Sequence, residues 1–234
     1  MQELPSTQPV STDPRDMVSL EAGVILSEAW NSLKANTSLV LKIFGLLIII
    51  SIAANLVVQV SASVSDLLSL IAQLANMVVQ MLLGVGTLYI SIAVAMEKPV
   101  ELSMLWKLTD RLAPYFIVSM LYGLLVSVDF LLLIFPGIIW ATKYGMAAMI
   151  VAWKKMNAMD AMHLSAQMTN GYKWQLFVLY LVFLVINVAA ALALMVGLLI
   201  TIPLSYLAMG IIFAKLAAQV PELQQEEQPI APAI

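Results

Sequence analysis

Apolar residues run through this chain in blocks far longer than a globular helix needs, and polar residues collect in the gaps between them. A helix requires about 20 apolar residues to cross roughly 30 Å of hydrocarbon. Against that length, positions 38–60 form a first span and 67–95 a second, separated by the short polar turn SASVSD. Positions 113–134 form a third. The run LLLIFPGIIWATKYGMAAM places Pro136 and Gly137 inside apolar sequence. Reading that pair as a hairpin turn gives a fourth span at 137–153, short but sufficient where flanking residues snorkel. From position 175 no charge occurs until Lys215, enough for two spans, 175–196 and 197–215, with a tight turn near Gly197. The pattern predicts an all-α membrane protein with six transmembrane helices arranged as three hairpins.

Basic residues set the orientation, because Lys and Arg in short loops stay on the cytoplasmic side. Arg15 and Lys34 precede the first span, and Lys98, Lys107 and Arg111 separate the second from the third. Lys154, Lys155 and Lys173 lie between the fourth and fifth, and Lys215 closes the sixth. The three opposite turns contain none, which predicts that both termini are cytoplasmic. A mere kink at Pro136-Gly137 would break this pattern by moving the later lysines to the other side. Trp30, Trp106, Trp153 and Trp174 fall at the expected cytoplasmic interface and Trp140 just beyond the opposite turn, where aromatic belts form.

The connections on the basic side are long and patterned. VSLEAGVILSEAWNSLKAN at 18–36 spaces Leu20, Val24, Trp30 and Leu33 near the helical period, as in a helix lying along a membrane surface. ELSMLWKLTDRL at 101–112 and MDAMHLSAQMTNGYKW at 159–174 read as similar amphipathic surface helices before spans three and five. In the last of these Asp160 is a candidate cap and Asn170-Gly171 a left-handed stop. The chain thus reads as three copies of one unit, a surface helix followed by a hairpin, within a membrane domain at 18–219. Residues 1–17 and 220–234 are polar, acidic and proline-containing, and read as disordered tails.

Composition agrees with the span count: 62% of residues are apolar and 11% charged, with a mean hydropathy of +0.96. The absence of cysteine excludes a disulfide framework, a thiolate metal site and a cysteine nucleophile. A net charge of −3 argues against a nucleic-acid partner, which needs a basic face.

Three stretches, LLIFPGIIWATKYGMAAMIVA, DAMHLSAQMTNGYKWQLFVLY and TIPLSYLAMGIIFAKL, resemble the YciC-like group of uncharacterised bacterial inner-membrane proteins. The same layout occurs in the membrane domain attached to some glycerophosphodiester phosphodiesterases. The similarity rests on Pro136-Gly137-Ile138 with a basic residue six positions after Gly137, on Ala161, Ser165, Gly171 and Trp174, and on Pro203-Leu204-Ser205. It extends over about 21–215, and departs from the group's pattern in having Lys143 where arginine is commoner and Trp153-Lys154-Lys155 where an acidic residue is common. The resemblance implies a six-helix fold and a bacterial inner membrane, and no particular activity.

Polar residues within the spans are the candidate chemistry, since each is expensive in hydrocarbon. Asp129 lies seven residues before Pro136 and Lys143 seven after it, so a turn at that proline would set both at one depth, roughly 10 Å from the turn. They are candidate ion-pair partners that fix the hairpin, or a substrate or proton site. In the first hairpin Ser51, Asn55 and Gln59 share one face, and Ser69, Gln73, Asn76 and Gln80 share a face of the next helix. Counted from the turn, Asn55 and Gln73 stand nearly level. Such amides join helices by hydrogen bonds or line a path for polar headgroups. Gly84 and Gly86 permit close helix approach. His163, the single histidine, lacks nearby carboxylate or cysteine ligands and reads as solvated.

No metal, cofactor or catalytic residue is expected, because no Gly-rich phosphate loop, Ser-His-Asp set or HExxH occurs. Two functions remain: a non-catalytic organiser of membrane or of a partner complex acting through its surface helices, and a small permease or lipid-handling protein using the polar first hairpin and Asp129. The expected partner is the lipid bilayer, with another membrane protein or a second copy also compatible.

Overall fold

The computed structural model describes residues 19–101, 104, 108–132, 134–193 and 197–224, and the side chains of all of these except 128–132, 134–137 and 224. All the regular structure among the described residues is helical, with no strand among them. In chain order they form α1 (Ala22–Ala35), α2 (Thr37–Ala62), α3 (Asp66–Ala95), α4 (Leu112–Leu132) and α5 (Ile134–Tyr144). There follow α6 (Ala147–Trp153), α7 (Ala158–Met168), α8 (Lys173–Leu192), α9 (Leu198–Ala217) and α10 (Pro221–Gln224). Four of these, α2, α3, α8 and α9, are long and apolar enough to cross a bilayer, which makes the chain a multi-pass membrane protein.

Local chemistry explains several boundaries. Ser65 caps α3 by accepting from the Leu68 N–H at 3.2 Å. At the other end Glu97 adopts the left-handed conformation, φ 55°, and Lys98 N–H reaches back to the Ala93 carbonyl at 2.8 Å. That reach-back, with Glu97 N–H on Val94, is a Schellman termination in which glutamate holds the position that glycine usually takes. Asn157, not Asp160, caps α7: its side chain accepts from the Asp160 N–H at 2.9 Å, while the Asp160 carboxylate sits in the first turn and accepts from the Asn157 amide. Gly171 has φ 87° and ends the segment before α8.

The expected hairpin tip at Pro136-Gly137 is displaced. Both residues stand in the opening turn of α5, which starts at Ile134. The first N–H groups of a helix have no partner within it, so a proline loses nothing there. Along the expected fourth span, α5 stops at Tyr144 and α6 begins after Gly145 and Met146, the two together forming the shorter apolar stretch Ile138–Trp153. Of the surface helix expected over 101–112, positions 102, 103 and 105–107 lie outside the described residues; Thr109–Arg111 forms a 3-10 turn that runs directly into α4 at Leu112.

The core forms around α3, which packs on α9 and on α6. The second half of α3 is buried on several sides, at Leu83, Val85, Gly86, Thr87, Ile90, Ser91, Ile92 and Ala93, and α6 is buried at Ala147, Met149, Ile150, Val151 and Ala152. The closest approach is backbone on backbone: a Cβ added to Gly210 of α9 would lie 2.2 Å from the Ser91 carbonyl oxygen of α3. α1 packs on α9 through Ile25 and Ala29, and α7 covers α6 with Ala161, Leu164, Ser165 and Met168. By contrast α2 buries only Val40, Ile43 and Ser61, so most of the α2–α3 pair projects from the bundle with apolar side chains exposed.

Candidate functional site

The basic residues converge on one end of the bundle. Arg111 is 4% exposed, and its Nη1 donates to the Ala152 carbonyl at the end of α6, where the last carbonyls lack helical partners. Its guanidinium lies 5.7 Å from the centre of the Tyr89 ring, Tyr89 stacks on Trp153 at 5.3 Å, and Lys98 Nζ lies 4.8 Å from the Trp153 ring. Two cations therefore sandwich two rings, an arrangement favoured by the negative face of each π-system. Lys155 pairs with Asp110 at 3.2 Å, Lys154 donates to the Glu222 carbonyl at 2.6 Å, and Lys215 meets Glu28 at 2.7 Å. Tyr172, at the start of α8, shares hydrogen bonds with Gln219, beyond the end of α9. Segments adjoining all four long apolar helices thus meet at this end.

Between α1 and the ends of α3 and α9 this end opens into a cleft of about 450 Å³. Glu28, Asn31, Ser32, Asn36, Glu97 and Lys215 contribute its polar lining. Glu28 and Lys215 are already paired and partly solvated, so their attraction is worth about 1 kcal/mol or less.

The polar residues anticipated in the first hairpin lie elsewhere. Asn55, Gln59, Gln73 and Gln80 are exposed and Asn76 half-buried, all on the projecting part of α2 and α3. Ser51 Oγ donates to Gln80 Oε1 at 3.4 Å and joins the two helices. The remaining bonds run along each helix: Asn55 to the Ser51 carbonyl, Gln73 to Ser69 Oγ and Gln80 to Asn76 Oδ1. With Ser51 beside Gln80, antiparallel helices bring Asn55 level with Asn76 and Gln59 near Gln73. This register differs by about one turn from the one obtained by counting from the loop.

For the second candidate pair, Asp129 lies outside the residues with described side chains. Lys143 stands one residue before the end of α5, where a cation complements the helix dipole, with Nζ 5.1 Å from the Tyr144 ring. Its carbonyl accepts from Ser165 Oγ at 2.9 Å and lies 3.2 Å from Thr169 Oγ1, whose single proton is shared with the Ser165 carbonyl at 2.8 Å; both side chains are wholly buried. α7 thus supplies hydroxyls to the open carbonyls of α5, a role invisible in sequence because the two residues lie 22 and 26 positions from Lys143. His163 bonds Gln167 on the exposed face of α7.

Two further interior features were not anticipated. Asn187 Nδ2 donates to Ser205 Oγ at 2.9 Å and ties α8 to α9. The Tyr180 hydroxyl is buried beside Gly145 and has no hydrogen-bond partner among the described residues. An asparagine in an otherwise apolar span was the available signal for the first. Nothing in the sequence marked the second.

Comparison with models of protein families, with curated proteins and with solved structures finds no match to this chain.

Proposed function

We propose that the chain is a six-span bacterial inner-membrane protein of the YciC-like kind, acting without catalysis as a platform at the cytoplasmic membrane surface. The observation that carries this reading is the gathering of Lys98, Arg111, Lys154, Lys155 and Lys215 at one end. From that end α2 leaves and α3 returns, α4 leaves and α5 with α6 returns, α8 leaves and α9 returns. Three out-and-back pairs make six crossings, and retention of basic residues in the cytoplasm assigns this end to the inside, together with both termini. α1 and α7 lie at that level, with Trp30, Met159 and Trp174 exposed as contacts for headgroups or for a partner.

A permease would need its polar residues around an internal path. Here Asn55, Gln59, Gln73 and Gln80 face outward and α6 fills the space between α3 and α7 with Ala147, Met149, Ile150 and Val151, which favours the platform. Reconstitution into liposomes tests the choice. The expected result is altered vesicle shape or recruitment of a partner with solute and lipid flux at the protein-free level. Flux that scales with protein and disappears on Gln73→Leu would reject the platform.

A further inference from the structure

We infer that the projecting α2–α3 hairpin is a self-association face, and that its occupant is the same face of a second copy of this chain. The inference rests on α2 and α3 lying in the bilayer. Their exposed apolar residues, among them Ile52, Leu56, Val57, Leu70, Ile71 and Leu74, then contact lipid without penalty. The carboxamides between them do not. Each carboxamide has two N–H donors and one acceptor oxygen. The bonds of Asn55 to Ser51 and of Gln73 to Ser69 use one donor each, leaving a second N–H and the carbonyl of each without a helical partner. Hydrocarbon offers no substitute.

The arrangement of the amides selects the occupant. A charged partner surface would leave its own charges unpaired in hydrocarbon, whereas amides satisfy amides because each both donates and accepts. A two-fold axis parallel to the helices keeps every residue at its own depth and lays α2 of one copy against α3 of the other. The Ser51–Gln80 bond already fixes what is level with what. Asn55 therefore meets Asn76 of the second copy, and Gln59 meets Gln73. The hairpin's own register makes the face complementary to itself, as an isologous dimer requires.

The lack of cysteine allows a clean test in the full chain. Differently tagged copies carrying Asn55→Cys and Asn76→Cys are co-expressed and oxidised in native membranes, with Leu56→Cys and Leu74→Cys as controls. A disulfide-linked heterodimer from the amide pair, and none from the leucine pair, is expected. In parallel, photobleaching counts of labelled protein in liposomes at increasing lipid dilution should show dimers. A variant with Asn55, Gln59, Gln73, Asn76 and Gln80 all changed to leucine should dissociate at protein densities at least tenfold higher. Monomers at every dilution, or undiminished dimerisation of the leucine variant, would overturn the inference. Reaction of Leu56→Cys with a membrane-impermeant maleimide would overturn it for a separate reason, by showing that α2 is not in the bilayer.

Discussion

Gly210 and Ser91 set the distance between the two central helices, because nothing larger than a hydrogen atom fits between the α-carbon of Gly210 and the Ser91 carbonyl. A methyl group there would stand 2.2 Å from that oxygen, and backbone cannot rotate aside as a side-chain tip can. Gly84 offers the contrast, since its added Cβ would meet the Tyr115 hydroxyl at 2.8 Å, the far end of a movable side chain. Gly210→Ala should therefore lower stability by about 2–3 kcal/mol, the upper part of the range for overpacked interiors, and Gly84→Ala by about 1 kcal/mol or less. Thermal unfolding in detergent, followed by tryptophan fluorescence, ranks the two; equal losses would mean that the α3–α9 contact is not the tighter one.

The Lys143 carbonyl has two hydroxyls within reach, Ser165 Oγ and Thr169 Oγ1, the second sharing its proton with the Ser165 carbonyl; either can serve Lys143 when the other is removed, which predicts a non-additive pair. Either Ser165→Ala or Thr169→Val alone leaves one hydroxyl in place and should cost about 1 kcal/mol. The double variant strands a buried carbonyl and should cost about 3 kcal/mol, more than the sum. Simple addition in a double-mutant cycle would show that only one hydroxyl is engaged.

What the sequence made legible was periodic and local. Long apolar runs located α2, α3, α8 and α9, since span length is set by bilayer thickness and by nothing distant in the chain. Asn170-Gly171 announced its left-handed stop for the same reason. Pro136-Gly137 misled because proline and glycine mark turns and also suit the first turn of a helix, and which applies depends on where the preceding helix ends. The candidate site fared worse because its contacts are distant: Arg111 reaches Ala152 across 41 residues and Lys215 reaches Glu28 across 187. The stripe of amides on α2 and α3 was visible as a stripe, but whether it faced inward or outward depended on how far α9 and α6 extend along α3.

Tyr180 should be better as phenylalanine. Its hydroxyl is buried beside Gly145 with no partner among the described residues, so the folded protein bears the loss of hydration with no hydrogen bond in return. Tyr180→Phe should leave stability unchanged or raise it by about 1 kcal/mol. Asn187→Leu, which breaks the bond to Ser205, should cost about 1 kcal/mol within a bilayer environment. A marked loss in Tyr180→Phe, read from the same unfolding curves, would reveal a partner for that hydroxyl.

Glu97 gives a second prediction of gained stability. A non-glycine residue in the left-handed region costs roughly 1 kcal/mol, and here it is imposed by the hydrogen bonds that end α3. Glycine adopts that conformation freely, so Glu97→Gly should stabilise the fold by about 0.5–1 kcal/mol. Glu97→Ala keeps the strain while removing the carboxylate and should leave stability near its starting value. Glu97 also lines the cleft beside Glu28 and Lys215, so the two variants separate backbone from charge. If both impair the platform equally, in the liposome recruitment or vesicle-shape assay, the carboxylate is what the cleft uses. If only Glu97→Gly does so, the fixed turn at the end of α3 matters more than the charge it presents.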